Sequence, residues 1–229
     1  MSSELFPAHR EYVGRPDAFD SLGASHFTLL TMLGLREHHR LLDVGCGSLR
    51  SGRLLIVYLQ KGHYFGIDPN EWLVRDGLQQ ELSPDLVQAK MPSFDSGSDF
   101  VLTRFGCKFD FIHAHSVLTH AAPWMIERLF EQIKQVMEPN GVFAGTINLG
   151  EEDHAGQEWI YPGQVSYRPG TIEAMAARNG LSVYRLTWPH PSQKYILLLH
   201  QERGLTQFLD SINGEHLLPV KPLIERLSA

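Results

Sequence analysis

The sequence predicts an α/β fold built on a mainly parallel sheet with helices on both faces. Three observations carry that prediction. Strand-like and helix-like patterns alternate after residue 40, and a short apolar run ends in a two-glycine turn, LLDVGCGS, before a helix-like segment. The last two apolar runs are separated by only four residues, too few for a parallel crossover.

Residues 40–44 (RLLDV) read as a strand that stops at the glycine turn, and residues 49–60 continue as a helix. Residues 63–67 form a second strand, with a helix starting near Asn70. Residues 85–89 read as a weak third strand. Residues 109–114 are the fourth, and after them Ile126, Leu129, Phe130, Ile133, Val136 and Met137 recur at helical spacing. Pro123 suits the first turn of that helix, where a missing N–H costs little. Asn140-Gly141 then stops it ahead of a fifth strand, residues 142–147. A helix near residues 171–178 closes at Asn179-Gly180. Residues 181–188 and 193–200 follow as strands joined by PHPS, and so short a link makes them an antiparallel pair.

Two segments flank this pattern, and we read the 229 residues as one domain. Residues 1–39 hold an amphipathic helix around residues 24–33 and serve as an N-terminal lid. Residues 40–200 are the ligand-binding core. Residues 201–229 are a tail with Leu205, Phe208, Leu209 and Ile212 at helical spacing, able to pack on the sheet edge or to join a second copy into an oligomer.

A net charge of -6 argues against a nucleic-acid partner, because phosphate binding relies on a basic patch. Two cysteines, Cys46 and Cys107, are too few for a disulfide framework and point to a reducing, cytoplasmic setting. The N-terminus has no apolar signal region, and no apolar run approaches the roughly 18 residues that span a bilayer.

A strand, a glycine turn and a helix in succession suit either a dinucleotide or S-adenosylmethionine. The dinucleotide fingerprint G-x-G-x-x-G needs its third glycine for close helix packing. Here Gly45 and Gly47 fit, Arg50 stands at the third position, and Gly52 comes two residues late. Asp68 ends the second strand 23 residues after Gly45, where a carboxylate accepts from the ribose hydroxyls of either ligand. The missing glycine and the antiparallel end favour S-adenosylmethionine.

The segments LLDVGCG, FGIDP, FDFIHAHSVLTH and EPNGVFAGT resemble, in order and spacing, the class I S-adenosylmethionine-dependent methyltransferases. More narrowly, YVGRPDAFDSLGASHF, CGSLRSGR, YFGIDPNEWL and WPHPSQKY resemble a bacterial subgroup whose substrates are mostly unassigned. The resemblance implies a Rossmann-like sheet of seven strands in the order 3-2-1-4-5-7-6, with strand 7 antiparallel. It implies that Asp43, Gly45 and Gly47 line the methionine portion of the cofactor. Asp68 then holds the ribose, and Ile67, Pro69 and Asn70 border the adenine. The superfamily's acid toward the adenine amine falls on Asp99, beside Phe100, with Asp95 competing. Arg50 pairs with the cofactor carboxylate or stays a solvated surface group.

Methyl transfer needs a nucleophile, an in-line geometry and sometimes a base. His115, at the mouth of the fourth strand, is a candidate base or substrate anchor, or a group that orients the cofactor. His120 either braces the following helix or takes a direct part, and His113 reads as a core histidine. The H-x-H-x4-H spacing of these three invites a zinc-like reading with Glu151–His154 (EEDH) nearby. With no acid in the same stretch, we expect no metal. Residues 148–168 form a loop far longer than the usual two to six or so. Tyr12 and His26 from the lid, with Trp159 and Tyr161 from this loop, are candidate substrate walls, and Tyr167 shares the loop's aromatic character. The resulting expectation is methylation of an oxygen or nitrogen of a small molecule or saccharide. The absence of a D/N-P-P-Y/F motif after strand 4 speaks against nucleic-acid bases. Cyclisation of the cofactor's aminobutyrate arm and cofactor binding without catalysis remain as alternatives.

Overall fold

The structure is a computed structural model describing residues 6–212 and 220–228. Its centre is one eight-stranded sheet in the order β3-β2-β1-β4-β5-β7-β6-β8. β1 (Leu41–Val44), β2 (Tyr64–Ile67), β3 (Ser93–Asp95), β4 (Phe109–Ala114) and β5 (Met137–Ile147) run parallel. β7 (Lys194–His200) is antiparallel to both β5 and β6 (Leu181–Leu186). The order expected for seven strands is present, and an eighth, β8 (Ile224–Arg226), is added antiparallel on the outer edge of β6.

Alternation along the central strands divides the core between two faces. Leu42, Val44, Ile112 and Phe143 enter one apolar cluster with Ile126, Leu129, Phe130 and Ile133 of α6 (Pro123–Val136). Leu41, Phe111, Val142 and Leu197 enter the other with Leu29 and Leu30 of α2 (Phe19–Met32). Leu55 and Ile56 of α3 (Gly52–Tyr58) join that second cluster. Between α1 (Ala8–Tyr12) and α2 a short turn, Pro16–Ala18, redirects the chain, and α4 (Glu71–Glu81) follows β2.

Several elements differ from the sequence expectation. Residues 85–89 are not a strand but lie in α5 (Pro84–Lys90), because Ser83 caps it by accepting from Leu86 N at 3.3 Å and Pro84 opens its first turn. The third strand lies further on, at β3. Helix α6 ends at Val136, before Asn140-Gly141, since Glu138 precedes a proline and Met137 already pairs with Phe109. Helix α3 begins at Gly52, three residues late, because Leu49 sits at φ 62° inside the turn.

The tail is used within the chain. Phe208, Leu209 and Ile212 of α8 (Gly204–Ile212) are buried in the cluster that holds Leu29 and Leu30, so this apolar face is covered within the chain. Helix α7 (Pro169–Arg178) covers the other face of the antiparallel end through Ile172 and Met175. Among the described residues no helix is long and apolar enough to cross a membrane.

Candidate functional site

The carboxyl ends of β1, β2 and β4 open into a cavity of about 650 Å³. Its floor is the glycine turn. Gly45 N donates to Ile67 O at 2.8 Å, which ties the turn to the end of β2. Gly45 has φ 69°, and a Cβ there would lie 2.5 Å from Val117 Cγ2, so only glycine fits. Gly47 N donates to Asp68 Oδ2 at 2.9 Å, while Asp68 Oδ1 accepts from Asn70 N at 2.8 Å. Asp68 Oδ1 also accepts from Asn70 Nδ2 at 3.1 Å, so the carboxylate is aimed before any ligand arrives and its spare lone pair is on Oδ2.

Like Asp68, which is 7% exposed, Asp43 and Arg50 line this end buried and without a protein counter-ion among the described residues. Asp43 is 4% exposed and accepts from Tyr64 OH at 2.8 Å. Burial pushes its carboxyl up to about 7, against the Tyr64 bond and with help from Asp68. Arg50 is 8% exposed; it donates to Val13 O at 2.7 Å and to Gly14 O, its Nε has no partner, and burial lowers it to about 10. A buried acid and a buried cation lining one cavity suit the ammonium and carboxylate of an amino-acid zwitterion.

The opposite end is built from distant segments. His115, just past β4, and His190, in the loop between β6 and β7, face each other with their Nε2 atoms 3.0 Å apart. Desolvation holds His115 well below the usual histidine range, and desolvation with Arg50 and Arg15 lowers His190 to about 4. His120 directs Nδ1 at Ile160 O (2.8 Å) and Gly163 O (2.7 Å). Its ring lies between Trp159 and Tyr161, with centroids at 5.4 and 5.2 Å. Tyr161 stacks on Tyr12 at 5.3 Å and donates to Tyr12 O, so the N-terminal segment reaches over the cavity. Arg10 and His9 of α1 anchor that segment on Glu81 of α4, at 2.6 and 2.9 Å.

A family profile described as a methyltransferase domain matches residues 22–186. This chain belongs to the class I S-adenosylmethionine-dependent methyltransferases. It is similar to magnesium protoporphyrin IX methyltransferase from Synechocystis PCC 6803 with bound cofactor, at 15% identity and a TM-score of 0.57, over 80% of this chain and 78% of that one. PKMT2 from Rickettsia typhi gives 14% and 0.61 over 82% and 56% of the two chains. Human N-acetylserotonin methyltransferase in complex with its cofactor gives 18% and 0.55 over 77% and 51%. At these identities the likeness is one of fold.

The cofactor of this methyltransferase is S-adenosylmethionine, which supplies a sulfonium-bound methyl group to a nucleophile. The cavity residues fit it: the buried Asp43 and Arg50 suit its amino-acid head, the glycine turn leaves room for close approach, and the Asp68 carboxylate suits a ribose. Ile67, Pro69, Asn70 and Phe100 line the cavity beyond Asp68. Asp99 does not reach it; that carboxylate is turned outward to the Arg104 guanidinium. Gly97 and Ser98 stand there instead, and Asp95 is occupied by Gly97 N at 2.7 Å.

The walls also differ in part from expectation. Tyr12, Trp159 and Tyr161 line the cavity, each about 40% exposed. His26 does not: it is 0% exposed behind His115, with ring centroids 4.0 Å apart and Nδ1 2.7 Å from Ser51 Oγ. Tyr167 is buried and donates to Ala121 O at 2.6 Å, anchoring the loop rather than facing a ligand. The H-x-H-x4-H spacing does not converge. His113 is buried with Nδ1 on Ala144 O, and Asp153 of the EEDH stretch pairs with Arg168. The structure gathers His26, His115 and His190 instead, one ring nitrogen each within 4.8 Å. His190 and Gln193 are site residues the sequence reasoning missed; the histidine between two prolines in WPHPS was the available signal.

Proposed function

We propose that this methyltransferase transfers the methyl group to an oxygen or nitrogen atom of a small molecule or saccharide. The observation that carries the reading is the far end of the cavity. Beyond the residues assigned to the cofactor, it continues into a space walled by Trp159 and Tyr161 and lined by the polar side chains of His115, His120 and Gln193. Aromatic faces suit a flat ring or a sugar, and the histidines suit a hydroxyl or amine. Two of the similar structures carry small-molecule acceptors in their names, magnesium protoporphyrin IX and N-acetylserotonin. The acidic net charge of -6 supports a small acceptor over a nucleic acid. Residue roles in this reading are Asp43 and Arg50 on the methionine head, Asp68 on the ribose, and Ile67, Pro69, Asn70 and Phe100 around the adenine. His115 and His120 stand at the acceptor.

The test is release of S-adenosylhomocysteine, followed by mass spectrometry, with a panel of phenols, glycosides and amines. A methylated product from one class establishes the acceptor. Methylthioadenosine as the product would replace the reading with intramolecular cyclisation, and binding without turnover across the panel would overturn it.

A further inference from the structure

The hydrogen-bond partners of three histidines decide where their protons sit. His190 Nδ1 accepts from the backbone N–H of Gln193 at 2.8 Å and of Ser192 at 3.2 Å. A ring nitrogen that accepts carries no proton, so the neutral His190 ring bears its proton on Nε2. That nitrogen faces His115 Nε2 at 3.0 Å, and between two facing nitrogens one must donate. His190 is therefore the donor, His115 Nε2 is the acceptor, and the proton of neutral His115 is on Nδ1. His115 lines the cavity, and its Nδ1 has no partner among the described residues. His120 is arranged the other way. Its Nδ1 lies against two carbonyl oxygens, which only accept, so Nδ1 is protonated and the lone pair of the neutral ring is on Nε2.

We propose that His190 is a positioning residue that fixes the tautomer of His115, so that His115 offers the cavity an N–H and leaves proton acceptance to Nε2 of His120. The inference rests on the acceptor reading above and assigns roles within it. In the proton step, the O–H or N–H of the acceptor gives its proton to the lone pair of His120 Nε2. The electron pair of that bond stays on the oxygen or nitrogen as the nucleophile. The imidazolium so formed is held by the Ile160 and Gly163 carbonyls and returns its proton to water. His115 N–H meanwhile holds the same acceptor atom by one of its remaining lone pairs, or a neighbouring polar atom.

The same proton order excludes a metal on the His26, His115 and His190 cluster. A ligating histidine donates its second N–H to an oxygen acceptor. His190 instead accepts at that nitrogen, so its Nε2 is capped by a proton.

The experiment is long-range proton–nitrogen NMR of the histidine rings at pH 7.5, in the whole chain, free and with S-adenosylhomocysteine. The expected wild-type result is a protonated Nδ1 on His115 and His120 and a protonated Nε2 on His190. In His190→Phe, His115 loses its fixed tautomer, and in His190→Gln, whose amide still donates, it keeps it. With an acceptor in hand, His120→Asn lowers kcat by about 10²–10⁴-fold. His115→Asn, which keeps an N–H, lowers it by less than about tenfold. A protonated Nε2 on His115 in the wild type, or an unchanged His115 in His190→Phe, overturns the proposal. So does Zn²⁺ that shifts all three rings of the cluster at one equivalent. Failure of the methyl-transfer reading is seen separately, as absent turnover with the ring protons still where they are placed here.

Discussion

At the cofactor end of the cavity the lining groups are bonded to one another before a ligand arrives: Gly45 to Ile67, Gly47 to Asp68, Asp68 to Asn70, Tyr64 to Asp43. At the acceptor end the groups come from residues 12, 115, 120, 159, 161 and 190; Tyr12, Trp159 and Tyr161 are about 40% exposed, whereas His120 is 4% exposed. The first end is a backbone device whose pieces lie within about 25 residues of one another. The second is assembled from four separate segments, and its shape depends on where loops are latched. Substitutions at the first should therefore cost stability and cofactor affinity together, and substitutions at the second should spare both.

Gly45→Ala is the largest expected effect. The added methyl meets Val117 at 2.5 Å and the backbone is left-handed, so overpacking and strain together cost about 2–5 kcal/mol. Urea unfolding measures it, and a stability equal to the parent would break the comparison. Asp68→Ala comes next, with S-adenosylmethionine affinity down by about 1.5–3 kcal/mol, on the order of tenfold to 150-fold by calorimetry.

The third effect is a pH dependence. The Asp43 carboxyl is raised to about 7 from 3.8, so in the free protein it is largely neutral below that value. An ammonium group prefers the carboxylate, so cofactor affinity should weaken as pH falls below about 7, by at most about tenfold per unit, and level off above about 8. For the free protein the sign is the reverse. A raised carboxyl contributes stability that is full below 3.8 and lost as pH rises through about 7. An affinity flat from pH 5 to 8, or the same slope in Asp43→Asn, would remove Asp43 from the cofactor head. The smallest effect belongs to the acceptor end: Trp159→Ala should raise acceptor KM about 2–10-fold through lost aromatic contact. Cofactor affinity and melting should barely change, since the ring is 41% exposed.

What the sequence reveals follows the same division. The glycine turn, Asp68 and the antiparallel end were legible because each is a local pattern: a spacing within one turn, an acid at a strand end, a link too short to cross over. Residues 85–89 were misread because a five-residue apolar pattern does not separate strand from helix, although Ser83-Pro84 marked a helix start. Asp99 was misplaced because the turn after β3 aims Gly97 and Ser98 at the cavity and leaves the acid for Arg104. His190 was missed because its partner lies 75 positions away. No spacing rule reaches that far, and only the pairing of β6 with β7 brings the loop back to β4.

The N-terminal segment has a consequence for the timing of the reaction cycle. Arg50 grips the carbonyls of Val13 and Gly14, Tyr161 grips that of Tyr12, and Glu81 holds Arg10 and His9, so release of spent cofactor should require some of these bonds to open. Chemistry behind such a cover should then outrun the exchange of one nucleoside for the next, as in many enzymes closed by a lid. A first turnover that appears as a rapid burst, followed by a slower steady rate that quickens in Tyr161→Phe, is the expected rhythm.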